Sequence, residues 1–549
     1  MPNFSDGRDK SKIDSICDAI TDVTGITLLD VDMGPSTNRS VVTFVGPPNS
    51  VKEAAFRGIR RASELIDMTA HEGAHPRIGA TDVVPFVPVA GVEMAECVDL
   101  ARQVGRRVGD ELGIPVYMYE NAATTDERRS LANIRQGEYE GLQQKIQDPA
   151  WKPDFGPAKF NPKAGATVIG AREFLIAYNV TLNTRKKAIV RAMAERIREK
   201  GGYKRGDDLR RIKDANGKYI KIPGRFQNVR AIGWYVDEYN AAQVSINFTN
   251  YKITPIHEVV EELRRIAPEY GVIVTGSELV GLIPKAALLD AGRYYLKRQG
   301  ASPGVPEQDL VSVAIRSLGL NDLYEFDPSE KVIEYRVAPK SDLLINKTLT
   351  GFVDEISRDS AVPGGGSVAA LAGAISAALA GMVANLTIKR VKFRDVHPLM
   401  RDLAVRAQEI KDKLMAAVDQ DSDSYATVMA AMGLPKKTRA EKAARQNAIA
   451  QASFQAAAVP FSVLNALPDV VELAKAVAEK GNPASVSDAG VAAAMARASA
   501  IGACMNVLIN LSGDDAPRSK QMVTDAQVVR DRVVQAAQAL IESVNSRII

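Results

Sequence analysis

Four histidines occur in this chain, and two of them stand four residues apart in His71-Glu-Gly-Ala-His75-Pro-Arg77. The string satisfies the HExxH spacing that, on an unbroken helix, sets two imidazoles on one face to hold zinc. Gly73 falls inside the string, and Pro76 pushes the residue before it out of the α region. The continuous helix that zinc needs is therefore not expected, and no metal site is assigned. What remains is a loop presenting an imidazole at the end of a helix. An unperturbed pKa near neutrality suits that group to general acid–base work. A histidine that merely caps the preceding helix would have the same local sequence, and both readings stay open at this level.

Two further strings carry polar chemistry. Pro363-Gly-Gly-Gly-Ser367 precedes an Ala-rich apolar run. Its glycines would let backbone approach a ligand, Ser367 could cap a helix, and free N–H groups at a helix start favour an anion or a polar ring edge. A Walker loop is excluded by the missing Gly-Lys-Ser/Thr, and a flexible lead-in with no ligand fits equally. Asp419-Gln-Asp421-Ser-Asp423 lies in a helical pattern. On a surface it is simply solvated, whereas carboxylates turned into a bundle would be costly without a purpose. An EF-hand is excluded, because its glycine and distal Glu are absent.

The elements that must position these groups fall into two textures. Up to about residue 335, strand and helix signals alternate. Ile26–Met33, Val41–Val45 and Val116–Tyr119 read as strands, and 50–68 and 91–112 as helices. Val83–Val89 is strand-like, but Pro85 and Pro88 predict an edge or irregular position for it. A second set follows, extended over Ala166–Leu182, helical over 184–200, a strand pair over 231–248, helical over 255–266, a strand over 271–275 and helical over 284–298. The class expected is an α/β (α+β) half of two sheet-plus-helices sandwich subdomains, 1–171 and 172–337. The Lys/Arg/Gly-rich segment 200–230 reads as a solvated loop. After a linker at 338–346, residues 347–549 show helical spacing throughout, with breaks at Pro363–Gly366, Gly433–Pro435 and Gly481–Pro483. That predicts an all-α helical bundle.

The bulk numbers narrow the function classes. A length of 549 residues calls for several domains, and a formal net charge of +4 is not the footprint of a nucleic-acid binder. Three scattered cysteines, Cys17, Cys97 and Cys504, fit neither a disulfide framework nor a zinc site, and point to a reducing cytoplasm. The first residues lack the apolar core of a signal peptide. Residues 367–388 carry no charge over a span's length, but Ala and Gly insert poorly. The stripe Leu371, Ile375, Leu379, Met382, Leu386 beside the ridge Ala369, Gly373, Ala377, Gly381 reads as a closely packed buried helix, not a membrane span.

Taken together, the residues resemble one family, the bifunctional formimidoyltransferase-cyclodeaminases of histidine degradation. The likeness covers nearly the whole chain. Its first-half strings include Asp30-Val-Asp-Met-Gly-Pro-Ser-Thr-Asn-Arg39, His75-Pro-Arg-Ile-Gly-Ala-Thr-Asp-Val, Ile134-Arg-Gln-Gly-Glu-Tyr139 and Asp154-Phe-Gly-Pro157. The second half adds Pro363-Gly-Gly-Gly-Ser-Val-Ala, Val418-Asp-Gln-Asp421 and Asn506-Val-Leu-Ile-Asn-Leu511. The residue before His75 is Ala74, where the family often has Glu.

The resemblance implies a transferase and a lyase in one cytoplasmic, multifunctional homo-oligomer. The first activity moves the formimino group of N-formimino-L-glutamate to tetrahydrofolate. The second cyclises the product to 5,10-methenyltetrahydrofolate and releases ammonia. Its site residues fall on His75 and Asp421 as the catalytic groups. The folate-binding loop falls on Gly156, Pro157, Ala158, Lys159, Phe160, Asn161, Pro162, Lys163, Ala164 and Gly165. Asp32 would orient or charge-balance His75, and Gly364, Gly365, Gly366 and Ser367 would line a pterin pocket; the chemistry of the substrate, rather than the likeness, suggests that Arg77 would hold its carboxylate. Lys159 and Lys163 would meet the tail of a polyglutamylated folate. No metal, nucleic acid or membrane is expected. A glutamate formyltransferase with an inert helical half is the rival reading, disfavoured because a formyl adduct carries no nitrogen to expel.

Overall fold

The computed structural model describes residues 1–35, 37–73, 75–206, 208–337 and 343–548. The chain divides into two compact units, Met1–Ala291 with Ala314–Ala338, and Gly292–Val313 with Pro339–Ile549. The expected linker falls largely on 338–342, outside the described residues, as does Ala74.

The first unit opens with a six-stranded sheet made of β1 (Asn3–Phe4), β2 (Thr27–Gly34), β3 (Arg39–Val45), β4 (Thr81–Phe86), β5 (Val116–Glu120) and β6 (Thr167–Ala171), in the order β2-β3-β1-β4-β6-β5. The β2–β3–β1–β4 run is antiparallel, and β4–β6–β5 is parallel. Three helices, α1 (Lys10–Thr21), α2 (Pro48–Leu65) and α3 (Met94–Leu112), bury Ile13, Ile16, Ile20, Phe56, Ile59, Val104 and Val108 against Val42, Val84 and Ile169. Short helices α4 (Leu131–Ile134) and α5 (Glu138–Lys145) cover Val83, Tyr117, Tyr119 and Val168 on the opposite face.

The prolines of Val83–Val89 predicted an edge or irregular position. Instead β4 lies inside the sheet, every residue buried. The reason is the brevity of β1, which pairs with β4 only at Val83 and Thr81. Pro85 therefore lies beyond the β1–β4 ladder, where its carbonyl accepts from the Met1 amine at 3.3 Å, and proline is tolerated at the end of such pairing.

A second, all-antiparallel sheet follows in the order β10-β11-β7-β12, from β7 (Ile176–Leu182), β10 (Val229–Val236), β11 (Ala241–Phe248) and β12 (Val274–Val280). Helices α6 (Lys187–Ile197) and α7 (Ile256–Ile266) accompany it, and α8 (Lys285–Arg298), α9 (Glu307–Leu318), α10 (Pro328–Lys331) and α11 (Ile333–Val337) follow in the chain, with the boundary between the units falling within α8 and again within α9. Segment 200–230 is largely exposed, as a solvated segment would be, but it is not a plain loop. Two short strands, β8 (Gly202–Tyr203) and β9 (Lys221–Ile222), pair antiparallel, and further bridges join Arg205 to Arg211 and Lys213 to Tyr219. The side chain of Arg205 is tied to the buried Glu195 of α6 at 2.9 and 3.1 Å.

The second unit is the expected helical bundle, α12 (Leu349–Ile356), α13 (Gly365–Ile388), α14 (His397–Met432), α15 (Arg439–Lys480), α16 (Val486–Asn510) and α17 (Pro517–Ile548). Its core is mostly alanine and valine, so backbones approach closely. Ser376 donates to Ala492 O at 2.6 Å and Ser499 to Ala369 O at 2.7 Å, which seats α13 on α16. Three helices, Gly365–Ile388, Arg439–Lys480 and Pro483–Asn510, are long and apolar enough to cross a membrane by length and composition. Within the unit they pack on one another, with 67%, 56% and 44% of their most apolar windows buried. Gly292–Val313 belongs to this unit too. Gly304 lies on Ala404, and its carbonyl accepts from Asn385 at 2.8 Å.

Candidate active sites

Helix α2 ends at Leu65, a single 3₁₀ turn spans Met68–Ala70, and residues 71–73 and 75–78 lie outside helices and strands before β4. The described residues of the HExxH string, 71–73 and 75, are thus not helical, and its two histidines differ in kind. Both ring nitrogens of His71 are engaged. Nε2 lies 3.0 Å from Asn38 O, and Nδ1 accepts from Arg77 Nε at 3.1 Å. His75 is half-buried, with an Nδ1 that is buried and has no hydrogen-bond partner. Burial, then the nearby Arg39 and Arg135 guanidinium groups, push its pKa down to about 4, against an opposing pull from Asp82. The imidazole is therefore neutral at physiological pH, and its Nδ1 has no partner among the described residues.

The acid facing His75 is Asp82, whose side chain is 1% exposed. It accepts from Ile78 N at 3.1 Å and from Arg135 Nε at 3.3 Å, with a second, shorter bond from Arg135. Asp32 stands exposed on β2, and its charge reaches Arg39 and Asp30. It acts on His75 at most through Arg39. Arg77 is 8% exposed and already filled by Glu138 (3.0 Å) and Glu140 (2.6 and 2.9 Å), so its geometry is that of a brace for the loop rather than of a free carboxylate clamp. A cleft of about 500 Å³ opens beside this brace, lined by His71, Glu72, Gly73 and Glu138. The resemblance pointed to Asp32 and the substrate's chemistry to Arg77, and neither singled out Asp82, Arg135 or Arg39. A signal was available, since a carboxylate in the otherwise apolar run 81–86 has to be paired when buried.

Residues 156–165 lie against the same loop. Gly156 and Gly165 take φ of 78° and 67°, a region glycine occupies without strain. Met68 N bonds Lys163 O, Ala80 N bonds Ala164 O (both 2.9 Å), and Ala166 N bonds Ile78 O at 3.0 Å. Phe160 packs on Tyr139 with ring centroids 5.5 Å apart. The stretch Gly156–Lys159 is exposed. Lys163 Nζ donates to Glu64 O at 2.8 Å, while Lys159 has no partner among the described residues.

In the bundle, α14 carries Asp421 to the first turn of α13. Asp421 Oδ2 accepts from Ser367 Oγ at 3.1 Å, and that hydroxyl also reaches Val418 O at 2.9 Å. Burial raises the carboxyl pKa above the ordinary range, opposed by side-chain and backbone hydrogen bonds from Ser367. A Cβ on Gly366 would overlap the carboxylate, and one on Gly365 would come within 3.3 Å of Asn506 Nδ2. Gly365 and Gly366 thus serve close approach. Asp419 is turned elsewhere, accepting from Leu344 N at 2.7 Å, and Asp423 is exposed, so neither shares a proton with Asp421. Gly366→Ala is expected to displace the carboxylate. It should cost about 1–3 kcal/mol of stability and at least tenfold in the bundle's chemistry, read by thermal unfolding and by turnover. Unchanged turnover would show that the contact does not matter.

A half-buried imidazole outside any helix or strand and a carboxyl of raised pKa at a helix start place one candidate acid–base group in each unit. The comparisons give the chain's lineage. Residues 1–172 match the formiminotransferase domain, N-terminal subdomain, 177–338 the formiminotransferase domain, and 348–528 formiminotransferase-cyclodeaminase. The chain is 43% identical over 545 residues to formimidoyltransferase-cyclodeaminase of Mus musculus, covering 98% of this chain and 97% of that one. It is 44% identical over 513 residues to the protein of the same name from Gallus gallus, covering 93% and 92%. Glutamate formimidoyltransferase of Thermoplasma acidophilum is 45% identical over 306 residues, 55% of this chain and 93% of that one. The chain belongs to the formimidoyltransferase-cyclodeaminase family.

Proposed function

We propose that this chain carries one folate through two consecutive reactions, with His75 serving the first and Asp421 the second. In the first, N5 of tetrahydrofolate attacks the amidine carbon of formiminoglutamate. An N5–C bond forms, the bond from carbon to the glutamate nitrogen breaks, and one proton must travel from N5 to the departing amine. A neutral imidazole beside the tetrahedral intermediate accepts that proton and returns it. In the second, N10 attacks the formimino carbon and its proton passes to the imino nitrogen. The resulting amine takes a further proton and leaves as ammonia, giving 5,10-methenyltetrahydrofolate. A carboxyl with a raised pKa is suited to supply that proton.

The observation that carries the reading is the unpartnered, neutral His75 Nδ1 in the same chain as a buried Asp421 held by Ser367. The exposed Lys159 supports a polyglutamylated folate as co-substrate, and the segment Gly156–Gly165 supports its seating. The matches at 1–172, 177–338 and 348–528 support subdomains divided near 171 and 337 with a helical domain from 347. The free, buried Cys17, Cys97 and Cys504 support a reducing cytoplasmic location.

A homo-oligomer is supported by an apolar face on adjacent α13 and α16. There Val368, Ile375 and Met382 are 38–40% exposed and Met505 and Ile509 61% and 69%; light scattering that gave only monomer would sink this part. The test of the whole is to supply formiminoglutamate and tetrahydrofolate and to follow methenyl-folate absorbance and free ammonia together. Equimolar appearance of both supports the reading. Folate formylated from formylglutamate, without ammonia, would replace it by the rival transferase.

A further inference from the structure

Segment 200–230 takes no part in either reaction described above. It holds ten Lys and Arg against three Asp, in a chain whose formal net charge is only +4. Folded as a hairpin, it lies along α6 and encloses a groove of about 670 Å³. Its lining includes the apolar Ile189 and Ala192 of α6 with Leu209 and Ile222 of the hairpin, and Tyr203 and Tyr270, whose rings carry the guanidinium groups of Arg211 at 4.4 Å and Arg196 at 6.0 Å.

The charges around this groove are unbalanced. The Arg205 guanidinium is matched by Glu195, and that of Arg196 by Glu269, its shorter bond 2.5 Å. Lys186 and Lys204 also line it. Both are exposed, and neither ammonium has a carboxylate partner among the described residues. Lys186 precedes the first turn of α6, where no side chain caps the helix amides, so the local potential is more positive still. The arms are fixed rather than loose. Lys204 N bonds Ile220 O at 2.8 Å, Ile212 N bonds Lys204 O at 2.9 Å, and Arg205 Nη1 bonds Leu209 O at 2.8 Å.

We propose that this groove binds a phosphate-bearing ligand with a flat ring, of the nucleotide type, its phosphates on Lys186 and Lys204 and its ring against the tyrosines and the apolar lining. Two point-charge ammonium groups suit phosphate, and a flat ring gains stacking and apolar contact from a lining of this kind. The groove is built from α6, the hairpin and the turn at Tyr270, and uses none of the residues assigned to the two reactions. The site thus stands or falls apart from the proposed activities.

The test uses the whole protein and calorimetric titration with ATP, with inorganic phosphate and with a poly-γ-glutamate peptide as separate arms. ATP is expected to bind, inorganic phosphate more weakly, and added salt to weaken both through screening. The double variant Lys186→Ala/Lys204→Ala removes two charge-assisted contacts and should weaken ATP about 10- to 100-fold, leaving both turnover rates without ATP unchanged. Lys218→Ala, on the same hairpin but not lining the groove, should leave ATP binding unaltered. Absence of ATP binding, equal losses in the Lys218 variant, or binding of poly-γ-glutamate in preference to ATP would each overturn the assignment.

Discussion

His75→Ala is expected to abolish formimino transfer and leave cyclisation intact. With formiminoglutamate and tetrahydrofolate supplied, kcat/KM for transfer should fall about 10²- to 10⁴-fold, the usual contribution of a positioned acid–base group. Supplied instead with 5-formiminotetrahydrofolate, the variant should release ammonia at the wild-type rate. The pH dependence follows from the environment of His75. Its pKa is held down to about 4 by burial and by Arg39 and Arg135, so the basic form persists far below the 6.5 of a free imidazole. The transfer profile should show no acid limb at pH 6.5, and lose activity only as pH approaches 4.

The same shift has a stability sign. A histidine whose folded pKa lies below its unfolded value binds fewer protons when native. Folding stability is therefore eroded as pH falls through the window from 6.5 toward 4. His75→Gln removes this proton uptake and should flatten that part of the curve. An acid limb at pH 6.5 in the wild type would show that the imidazole is not desolvated as described, and retained transfer in the alanine variant would remove it from catalysis.

Asp421→Asn should have the mirror-image outcome. Transfer proceeds, 5-formiminotetrahydrofolate accumulates, and ammonia release drops about 10²- to 10⁴-fold. A structural carboxylate would cost stability when neutralised, but this one has its pKa raised because burial outweighs the hydrogen bonds from Ser367. A group raised in the fold makes the charged form the unfavourable one, so the amide should leave the melting temperature unchanged or higher. Loss of ammonia release with unchanged or improved melting separates a chemical role from a scaffold role, and loss of both would favour the scaffold. Asp419→Asn serves as control. Its carboxylate accepts from Leu344 N, so it should affect melting more than turnover.

Much of this was legible before any coordinates. Alternation of strand and helix, then uninterrupted helical spacing after the glycines at 364–366, gave the two textures, because binary patterning follows secondary-structure period. The loop character of His71–Arg77 followed from Gly73 and Pro76. Three things were not legible. Pro85 marked β4 as peripheral, because the tolerance granted by a two-residue neighbour strand is a tertiary fact. The basic 200–230 segment lacks hydrophobic periodicity, so its pairing rests on bridges and on Glu195, which no local pattern reveals. The division of labour between His71 and His75 depends on Asn38 and Arg77 arriving from other elements, so spacing could not say which imidazole would be left unpaired.

The strap Gly292–Val313 bears on how this protein can be taken apart. A fragment beginning at 347 contains every residue placed in ammonia release, yet leaves behind the stretch that lies over Ala404 and satisfies Asn385. Such a fragment would present a bare alanine-rich flank and an amide without its acceptor, and would aggregate or melt early unless residues 292–313 were restored to it. Fusion here is therefore interleaved rather than end to end, and a clean cut between the catalytic halves does not follow the linear order of the gene product.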